Sequence, residues 1–326
     1  MQKVLIAPAT LAGVEAPYLQ VLRDAGFQPV FPPVTRQLLE NEILEQLHGI
    51  VACLAGSEPY TPRVLAANPG LRVIARVGVG YDAVDLEAST AHGVAVCIAP
   101  GTNQESVAEH TFALILALAK NLIAQHLGTK AGDWPRQANL PLRGRTLGIA
   151  GLGRIGKAVA VRGAAFGMPL LAYEPYPDGN FVSRFGIKLV SLEQLLAESD
   201  YLTLHVPLTP ESKHLINRRT LALMKPTAFL INTARGGLVC EADLLEVLKA
   251  RRLAGAALDV FEQEPPGKPA LFDLDNVVLT PHAAGVDLQS RDDMALSSAR
   301  SIIALSRGDW PAEAVVNQDV RAKFKW

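Results

Sequence analysis

The chain has 326 residues, which is long for one hydrophobic core, so we expect two domains. Hydrophobic residues make up 49% of it, and its 31 Lys+Arg balance 32 Asp+Glu, which argues against a disordered chain and against a nucleic-acid partner. The longest uninterrupted apolar stretch, 112–119, is far short of the roughly 20 residues of a membrane span, and the N-terminus begins as a strand without a signal peptide, so we expect a cytoplasmic protein without membrane contact.

Short apolar runs alternate with helix-length segments through the first hundred residues. The strand candidates are KVLIAP, FQPVF, GIVACL, LRVIARV and GVAVCI, and the helical patterns cover 14–25, 37–47, 63–67 and 83–92. Strands rich in Val and Ile, bounded by Gly or Pro and separated by helices, are typical of βαβ units on a parallel sheet. The N-terminal third is therefore predicted to form one small α/β domain.

A very apolar helix is predicted after residue 101. Ser106 and Glu109 have the spacing of a capping box, and the segment TFALILALAKNLIAQHL that follows is apolar almost all round. Such a helix must be buried on several sides. A subunit partner would bury the side that its own domain leaves open, so we expect a homodimer.

A second α/β series follows. Its strand candidates are TLGIAGLG, MPLLAYEP, DYLTLHVP, TAFLINTA, LAGAALDV and NVVLTPH. Six strands with five crossovers and a Gly-rich first turn predict a doubly wound nucleotide-binding sheet. A last helical pattern at 292–306 can return to the first domain. We therefore expect a discontinuous domain, 1–99 with 287–326, and a nucleotide-binding domain at 100–286.

The Gly-rich turn is GLGRIG, which matches G-x-G-x-x-G between a predicted strand at 146–150 and a predicted helix at 157–166. In this context Gly151 allows the tight turn, Gly153 lets the backbone approach a pyrophosphate, and Gly156 lets helix and strand pack closely. The turn therefore predicts a dinucleotide site.

Glu174 ends the next predicted strand, 23 residues after Gly151. A carboxylate there accepts hydrogen bonds from the adenosine ribose hydroxyls and would repel a 2′-phosphate. The sequence therefore predicts NAD in preference to NADP.

Charged and titratable residues are concentrated where the strands of the second series end. The segments are His205-Val-Pro207, Thr233-Ala-Arg235-Gly-Gly237, Asp259-Val-Phe-Glu-Gln-Glu264-Pro265 and Pro281-His282. In open α/β sheets ligands lie outside the carboxyl ends of the strands. These segments are therefore the candidates for a reaction site.

Three of these residues suit a nicotinamide dehydrogenase. A histidine can exchange a proton with the substrate oxygen, so His282 is a candidate general acid/base. A carboxylate such as Glu264 can fix the histidine tautomer and stabilise the imidazolium. Arg235 can hold a substrate carboxylate bidentately and polarise the neighbouring carbonyl.

The motifs INTARGGLV, DVFEQEP and LTPHAAG, with GLGRIG, HVPLTPES, RVGVGYDAVD and GTNQESVAEHT, resemble the D-isomer-specific 2-hydroxyacid dehydrogenase family. They follow the family order from about residue 50 to residue 318. The resemblance implies two α/β lobes, a flavodoxin-like substrate domain and a Rossmann NAD-binding domain, with the active site in the cleft. It also implies a dimer through the cofactor domain.

The resemblance implies roles for individual residues. The catalytic trio would be Arg235, Glu264 and His282. The residues implied at the substrate, besides Arg235 and His282, are Ser57, Val77, Gly78 and Val79. Those implied at the cofactor are Gly151, Gly153, Arg154, Ile155, Gly156, Glu174, His205, Pro207, Thr233, Ala234, Asp259 and Thr111.

The sequence departs from the family pattern at two places. The first-domain loop often carries an arginine before the serine, whereas this chain has Ala55 and Gly56, which weakens the case for a phosphorylated substrate. Cys240 stands where the family commonly has Asp. The three cysteines form no CxxC pair, so we expect reduced thiols and no metal site.

The leading hypothesis is an NAD-dependent oxidoreductase that interconverts a small D-2-hydroxy acid and its 2-keto acid. Glyoxylate, hydroxypyruvate and phosphohydroxypyruvate all stay open as substrates. The alternative is an NAD(H)-sensing interaction protein, because corepressors of the same family keep the trio.

Overall fold

A computed structural model describes residues 1–134 and 136–326. The chain divides into two compact units. The first unit contains Met1–Asn103 and Val286–Trp326, and the second contains Gln104–Gly285. The second unit is thus inserted, in sequence, into the first.

The first unit is built on a five-stranded parallel sheet. Its strands are β1 (Gln2–Ile6), β2 (Phe27–Val30), β3 (Ile50–Ala55), β4 (Val73–Arg76) and β5 (Ala95–Cys97). Their spatial order is β2-β1-β3-β4-β5, which is the flavodoxin-like order. All four neighbouring pairs are parallel, as the run of βαβ units in the sequence predicts.

Five helices belong to this unit. They are α1 (Pro17–Asp24), α2 (Glu40–Gln46), α3 (Pro62–Ala67), α4 (Leu86–Ala91) and, from the C-terminal segment, the long helix α12 (Leu288–Ser306). Helix α1 begins three residues later than its apolar pattern indicates, because Pro17 occupies the first helical turn. Helix α12 begins four residues earlier, because the Asp287 side chain caps it by accepting the Ser290 N–H. Ala295, Ala299 and Ile302 of α12 are buried in the same core as β1, β3 and β4.

The second unit is built on a seven-stranded parallel sheet. Its strands are β6 (Leu147–Ala150), β7 (Leu170–Tyr173), β8 (Lys188–Leu189), β9 (Tyr201–Leu204), β10 (Phe229–Asn232), β11 (Gly255–Leu258) and β12 (Val277–Leu279). The order β12-β11-β10-β9-β6-β7-β8 is that of a Rossmann sheet with one added strand. The two-residue strand β8 was not predicted, because both its residues are exposed and it has no apolar run.

The described residues of this unit form seven α-helices: α5 (Gln104–Ala119), α6 (Leu122–Lys130), α7 (Arg154–Ala165), α8 (Gly179–Phe185), α9 (Leu192–Glu198), α10 (Arg218–Leu221) and α11 (Glu241–Lys249). Helix α7 begins at Arg154, three residues before the predicted start, so the second half of GLGRIG is already helical. The Gly-rich segment is therefore the end of β6, a tight turn and the first turn of α7.

The apolar segment after residue 101 forms two helices rather than one. Helix α5 ends at Ala119, and α6 leaves at an angle of 62° after Asn121, whose φ is 48°. The predicted capping box is wrong: Ser106 and Glu109 lie inside α5, and the Ser106 hydroxyl donates to the Ala284 carbonyl at 2.8 Å. Among the described residues no single helix could cross a membrane, and α5 with α6 passes as a bent pair by length and composition alone.

Candidate active site

The Gly-rich turn leaves no room for side chains at two of its glycines. A Cβ on Gly156 would lie 2.0 Å from the Gly151 carbonyl oxygen, and a Cβ on Gly151 would lie 2.7 Å from that of His205. Gly151 also has a φ of 96°, in the left-handed region that favours glycine. Both glycines are therefore required for β6, β9 and α7 to pack this closely.

The third glycine of the turn faces open space. A Cβ on Gly153 would meet no atom within 4 Å, and Gly153 is the N-cap residue of α7. Arg154 is exposed and Ile155 is half-buried in the first turn of that helix. An exposed helix N-terminus with a bare backbone is a site for a phosphate group, so this end of α7 fits the pyrophosphate of NAD.

His205, at the carboxyl end of β9, lies beside this turn. Its Nε2 is 2.9 Å from the Thr203 hydroxyl, and its Nδ1 is buried without a hydrogen-bond partner among the described residues. Burial lowers the pKa of His205 to about 3, so the ring is neutral at neutral pH. A buried polar atom without a partner is consistent with a ligand that supplies one.

Glu174 follows β7, and its carboxylate is fixed by the backbone. One oxygen accepts the Leu152 N–H at 2.8 Å, and the other accepts the Tyr176 N–H at 2.9 Å. The first of these bonds joins the acid directly to the Gly-rich turn. The Glu174 carboxylate therefore bonds to the residue between Gly151 and Gly153, where the ribose next to the pyrophosphate would bind.

His282 and Glu264 form a hydrogen-bonded pair. The Nδ1 atom of His282 lies 2.7 Å from a Glu264 carboxylate oxygen. The His282 side chain is 46% exposed, whereas that of Glu264 is 31% exposed. With Nδ1 bound to the carboxylate, Nε2 is the ring nitrogen that remains for a substrate.

The surroundings of Glu264 keep it ionised. Burial would raise its pKa, but the hydrogen bond and charge of His282, the Phe261 N–H at 3.0 Å and the charge of Arg235 outweigh burial and lower it. Glu264 is thus an anion at neutral pH, as the partner of an imidazolium must be.

Arg235 follows β10, the strand beside β11 in the sheet. Its Nη1 donates to the Ala234 carbonyl at 2.6 Å, and its own carbonyl accepts the Asn232 side-chain amide at 2.8 Å. The positive charge of Arg235 contributes to the lowered pKa of Glu264. The structure therefore brings all three residues of the predicted trio to one edge of the second unit's sheet.

Asp259 holds the loop that carries His282. Its fully buried carboxylate accepts the Thr280 hydroxyl at 2.6 Å and the N–H groups of Ala283 and Ala284 at 2.9 Å each. Its backbone carbonyl accepts the N–H of His282, whose φ is 54°. The prediction that Asp259 lies at the nicotinamide end of the cofactor remains a prediction; within the unit, the bonds of its carboxylate to Thr280, Ala283 and Ala284 hold this loop.

His110 belongs to the same network, and sequence reasoning omitted it. Its Nε2 lies 3.0 Å from the Thr280 hydroxyl and 3.6 Å from a carboxylate oxygen of Asp259. Thr280 is 170 positions away in the chain, so no local pattern links the two. The sequence did offer one indication that His110 lies at the site: it directly precedes Thr111, a predicted cofactor residue, on helix α5.

The remaining predicted cofactor residues of this unit fall into two groups. Thr111 and Thr233 are buried and their hydroxyls lie 3.1 Å apart, while Thr111 also donates to the Val107 carbonyl. Ala234 is half-buried and Pro207 is exposed, each in the segment after its strand. Thr111 thus has a packing role in α5 besides the role that the resemblance implies.

The predicted substrate residues of the first unit follow two neighbouring strands. Ser57 is exposed after β3, and Val77, Gly78 and Val79 are half-buried after β4. The Ser57 carbonyl accepts the Gln37 side-chain amide at 2.7 Å, which fixes the first loop. The structure therefore places all four at one edge of this unit's sheet.

Two charged residues hold these loops. Glu58 is 1% exposed and accepts the Gly56 N–H at 2.6 Å, and Arg76 donates from Nε to the Gly80 carbonyl at 2.8 Å. Burial raises the pKa of Glu58, although its backbone hydrogen bonds and the charge of Arg76 oppose the rise. A buried carboxyl therefore holds the loop at which the family resemblance leads one to expect an arginine.

Comparison with known proteins gives consistent matches. Residues 112–284 match the family model of the D-isomer specific 2-hydroxyacid dehydrogenase NAD binding domain. A glyoxylate reductase of Korarchaeum cryptofilum is 40% identical over 89% of this chain and 88% of its own length. A D-3-phosphoglycerate dehydrogenase of Methanocaldococcus jannaschii is 39% identical over 92% of this chain, which spans 57% of that relative. A D-lactate dehydrogenase of Aquifex aeolicus, solved with NAD and lactic acid, is 30% identical, with a TM-score of 0.84 over 97% of this chain and 99% of that one.

Proposed function

Because the chain belongs to the D-isomer specific 2-hydroxyacid dehydrogenase family and is an NAD-dependent oxidoreductase, we propose that it interconverts a small D-2-hydroxy acid and its 2-keto acid. The observation that carries this proposal is the pair of His282 and Glu264, with their 2.7 Å hydrogen bond and the charge of Arg235 beside them. A proton donor, its anion and a carboxylate-binding cation are the groups that this reaction needs from the protein.

NAD, when bound, accepts or supplies the hydride. In the reducing direction His282 donates a proton from Nε2 to the carbonyl oxygen, and in the oxidising direction it takes that proton back. Glu264 accepts the Nδ1–H, so the ring keeps one orientation and its charged form is stabilised. Asp259, through Thr280 and the backbone of the loop, keeps the histidine where Glu264 can reach it.

Arg235 binds the substrate carboxylate through its guanidinium and polarises the carbonyl beside it. For the first unit, we propose that the Ser57 loop and the backbone of 77–79 are substrate-binding segments. Support for this assignment is that both loops follow the carboxyl ends of neighbouring parallel strands, where α/β sheets bind ligands.

The cofactor residues divide by their chemistry. Gly151, Gly153, Gly156, Arg154 and Ile155 form the pyrophosphate site at the start of α7. His205 and Pro207 lie beside the adenosine, and Thr233, Ala234, Asp259 and Thr111 serve the nicotinamide half. Glu174 binds the ribose hydroxyls and disfavours a 2′-phosphate, since its carboxylate is already oriented by two backbone N–H groups.

We propose an unphosphorylated substrate such as glyoxylate or hydroxypyruvate. The first-unit loop has Ala55 and Gly56 before Ser57, and the group that holds this loop is the carboxyl of Glu58. No cation replaces the arginine within the loop itself. A phosphate dianion needs a cation to stabilise it, whereas a hydroxymethyl group or a hydrogen does not. This loop therefore favours the unphosphorylated acids.

A homodimer through the second unit is the proposed assembly. Helix α6 buries none of its residues within its own unit, and Leu122 and Leu127 are each 59% exposed. Exposed leucines on a short helix that buries none of its own residues indicate that a protein partner covers the helix. Replacing Leu127 with Glu should convert the dimer to a monomer in light scattering; an unchanged mass would contradict this interface.

The deciding experiment is NADH oxidation across a panel of 2-keto acids, repeated with NADPH and with phosphohydroxypyruvate. We expect turnover with NADH and the small unphosphorylated acids and much less with the phosphorylated one. Tight NADH binding without turnover on any acid would contradict the enzyme and support a sensing role.

A further inference from the structure

Three side chains with metal-binding atoms lie together on the second unit, outside the groups that the proposed reaction uses. They are His214, Cys240 and Glu262, and their donor atoms all lie within 4.8 Å of one another. Cys240 and His214 are partly buried, and Glu262 is exposed. The three come from separate segments: the chain before α10, the residue before α11, and the loop after β11.

Backbone hydrogen bonds bring the first two segments together. The His214 N–H donates to the Gly237 carbonyl at 2.8 Å, and the Cys240 N–H donates to the Ile216 carbonyl at 2.8 Å. Between them, Ile216 and Val239 form a parallel bridge. The positions of His214 and Cys240 are therefore fixed by the main chain.

The third segment is held against them by close backbone contact. A Cβ on Gly236 would lie 1.8 Å from the Phe261 carbonyl carbon, so only glycine allows the two backbones to meet here. The Glu262 N–H donates to the Glu241 carboxylate at 2.6 Å, and a carboxylate oxygen of Glu262 lies 2.8 Å from Nε2 of His214. All three donors are thus held close together by the fold.

From this arrangement we propose that His214, Cys240 and Glu262 form a binding site for Zn²⁺. A thiolate, an imidazole and a carboxylate are all zinc ligands, whereas a thiolate disfavours Mg²⁺ and Ca²⁺. Zinc bonds of about 2.0 to 2.3 Å place tetrahedral ligands roughly 3.3 to 3.8 Å apart. The donor atoms now lie within 4.8 Å of one another, so side-chain movements of about 1 Å reach this spacing, and the 2.8 Å contact between His214 and Glu262 lengthens to admit the ion. A water completes the fourth position.

Cys240 is the cysteine that can serve this purpose. Cys53 and Cys97 are fully buried in the first unit, whereas Cys240 is partly exposed. Its side chain caps no backbone N–H of α11 and bonds instead to the Asp243 carboxylate, from which zinc would take the thiolate. Zinc binding displaces the thiol proton to solvent, so affinity rises with pH. The bound ion links three segments, and one of them carries Glu264 two residues after Glu262.

The test is metal binding by the full chain, reduced and freed of metal, without cofactor or substrate. Zn²⁺ affinity is measured by competition with a chromophoric chelator, and Co²⁺ replaces zinc for spectroscopy. We expect one ion per chain, a higher Tm with zinc and a thiolate-to-cobalt charge-transfer band. Cys240→Ser should abolish the band, and both Cys240→Ser and His214→Gln should weaken zinc binding at least about tenfold.

Two controls keep the outcome specific. His48→Gln removes an exposed histidine of the first unit and should bind zinc as the wild type does. His282→Ala tests whether the ion prefers the pair with Glu264. Wild-type affinity in Cys240→Ser, or loss of binding in His282→Ala alone, would overturn the proposal, and neither result depends on whether the enzyme turns over.

Discussion

The two sheets use charge in opposite ways at their carboxyl ends. In the second unit His282 and Glu264 bond to each other, and the charge of Arg235 helps to lower the pKa of Glu264. In the first unit Glu58 and Arg76 point their polar atoms at their own loops, and Ser57 and the backbone of 77–79 remain at the edge. On the proposed function, the difference means that the second unit moves the proton and the first receives a substrate group. Loss of the proton donor of the second unit should therefore act on kcat, and loss of its carboxylate-binding cation on KM. Changes in the first unit should act on binding or stability.

The largest effect is expected for His282→Ala. Without the proton donor, kcat should fall about 10²- to 10⁴-fold while NADH still binds, because the Gly-rich turn and Glu174 are unaffected. Stopped-flow turnover and NADH fluorescence titration measure the two quantities. His48→Ala, an exposed histidine of the first unit, is the matched control and should keep full activity. A wild-type kcat in His282→Ala would show that His282 is not the proton donor and that the second unit does not supply the proton.

Arg235→Lys should have the second-largest effect on activity. Lysine keeps the charge but cannot bind a carboxylate bidentately, so kcat/KM for the keto acid should fall roughly 10- to 100-fold, mostly through KM. Steady-state kinetics at saturating NADH gives the split. Arg184→Lys, at an exposed position of α8, offers a control whose keto-acid KM should stay unchanged. An unaltered KM in Arg235→Lys would mean that the carboxylate binds elsewhere.

Glu264→Gln should reduce activity about tenfold near neutral pH and shift its pH dependence. The pKa of Glu264 is lowered, so the wild-type group is an anion there and stabilises protonated His282, which the neutral amide does not. The amide cannot take up a proton, so the acid limb that wild-type activity shows as pH falls through the lowered pKa of Glu264 should be absent from the variant. A pH profile of kcat/KM checks this. An acid limb that stays in place would show that the carboxylate does not act through the histidine.

The smallest effect is expected for Glu58→Gln, and it should appear in stability. Burial raises the pKa of Glu58, so the folded protein retains a proton that the unfolded chain loses, and stability declines as pH rises from about 4.5 through the folded pKa. Glutamine does not ionise, so the variant avoids the stability that the wild type loses when the buried Glu58 becomes charged. The Tm of the variant should therefore rise above that of the wild type by a few degrees as pH increases. Thermal melts from pH 4 to 8 test this, with kcat expected to remain unchanged. A constant Tm difference across that range would contradict it.

Local patterns in the sequence predicted most of the fold. Strand ends marked by Gly, Pro and charged residues located His282, Glu264 and Arg235 correctly at one sheet edge, since parallel strands end together. The network of Asp259, Thr280 and His110 was not predicted, because its bonds join residues 21 to 170 positions apart. The break after α5 was missed for another reason: Asn121 takes a left-handed φ that apolar periodicity does not reveal.

The insertion of the second unit into the first has a consequence for the order in which the protein folds during synthesis. Residues 104–285 leave the ribosome complete, with Ser106 already able to bond Ala284, while the sheet of the first unit still lacks α12. Until Ala295, Ala299 and Ile302 emerge, the nascent N-terminal sheet exposes the apolar face that they cover. The unit that is begun first is therefore finished last, and for that interval it is the part of the chain in greatest need of a chaperone.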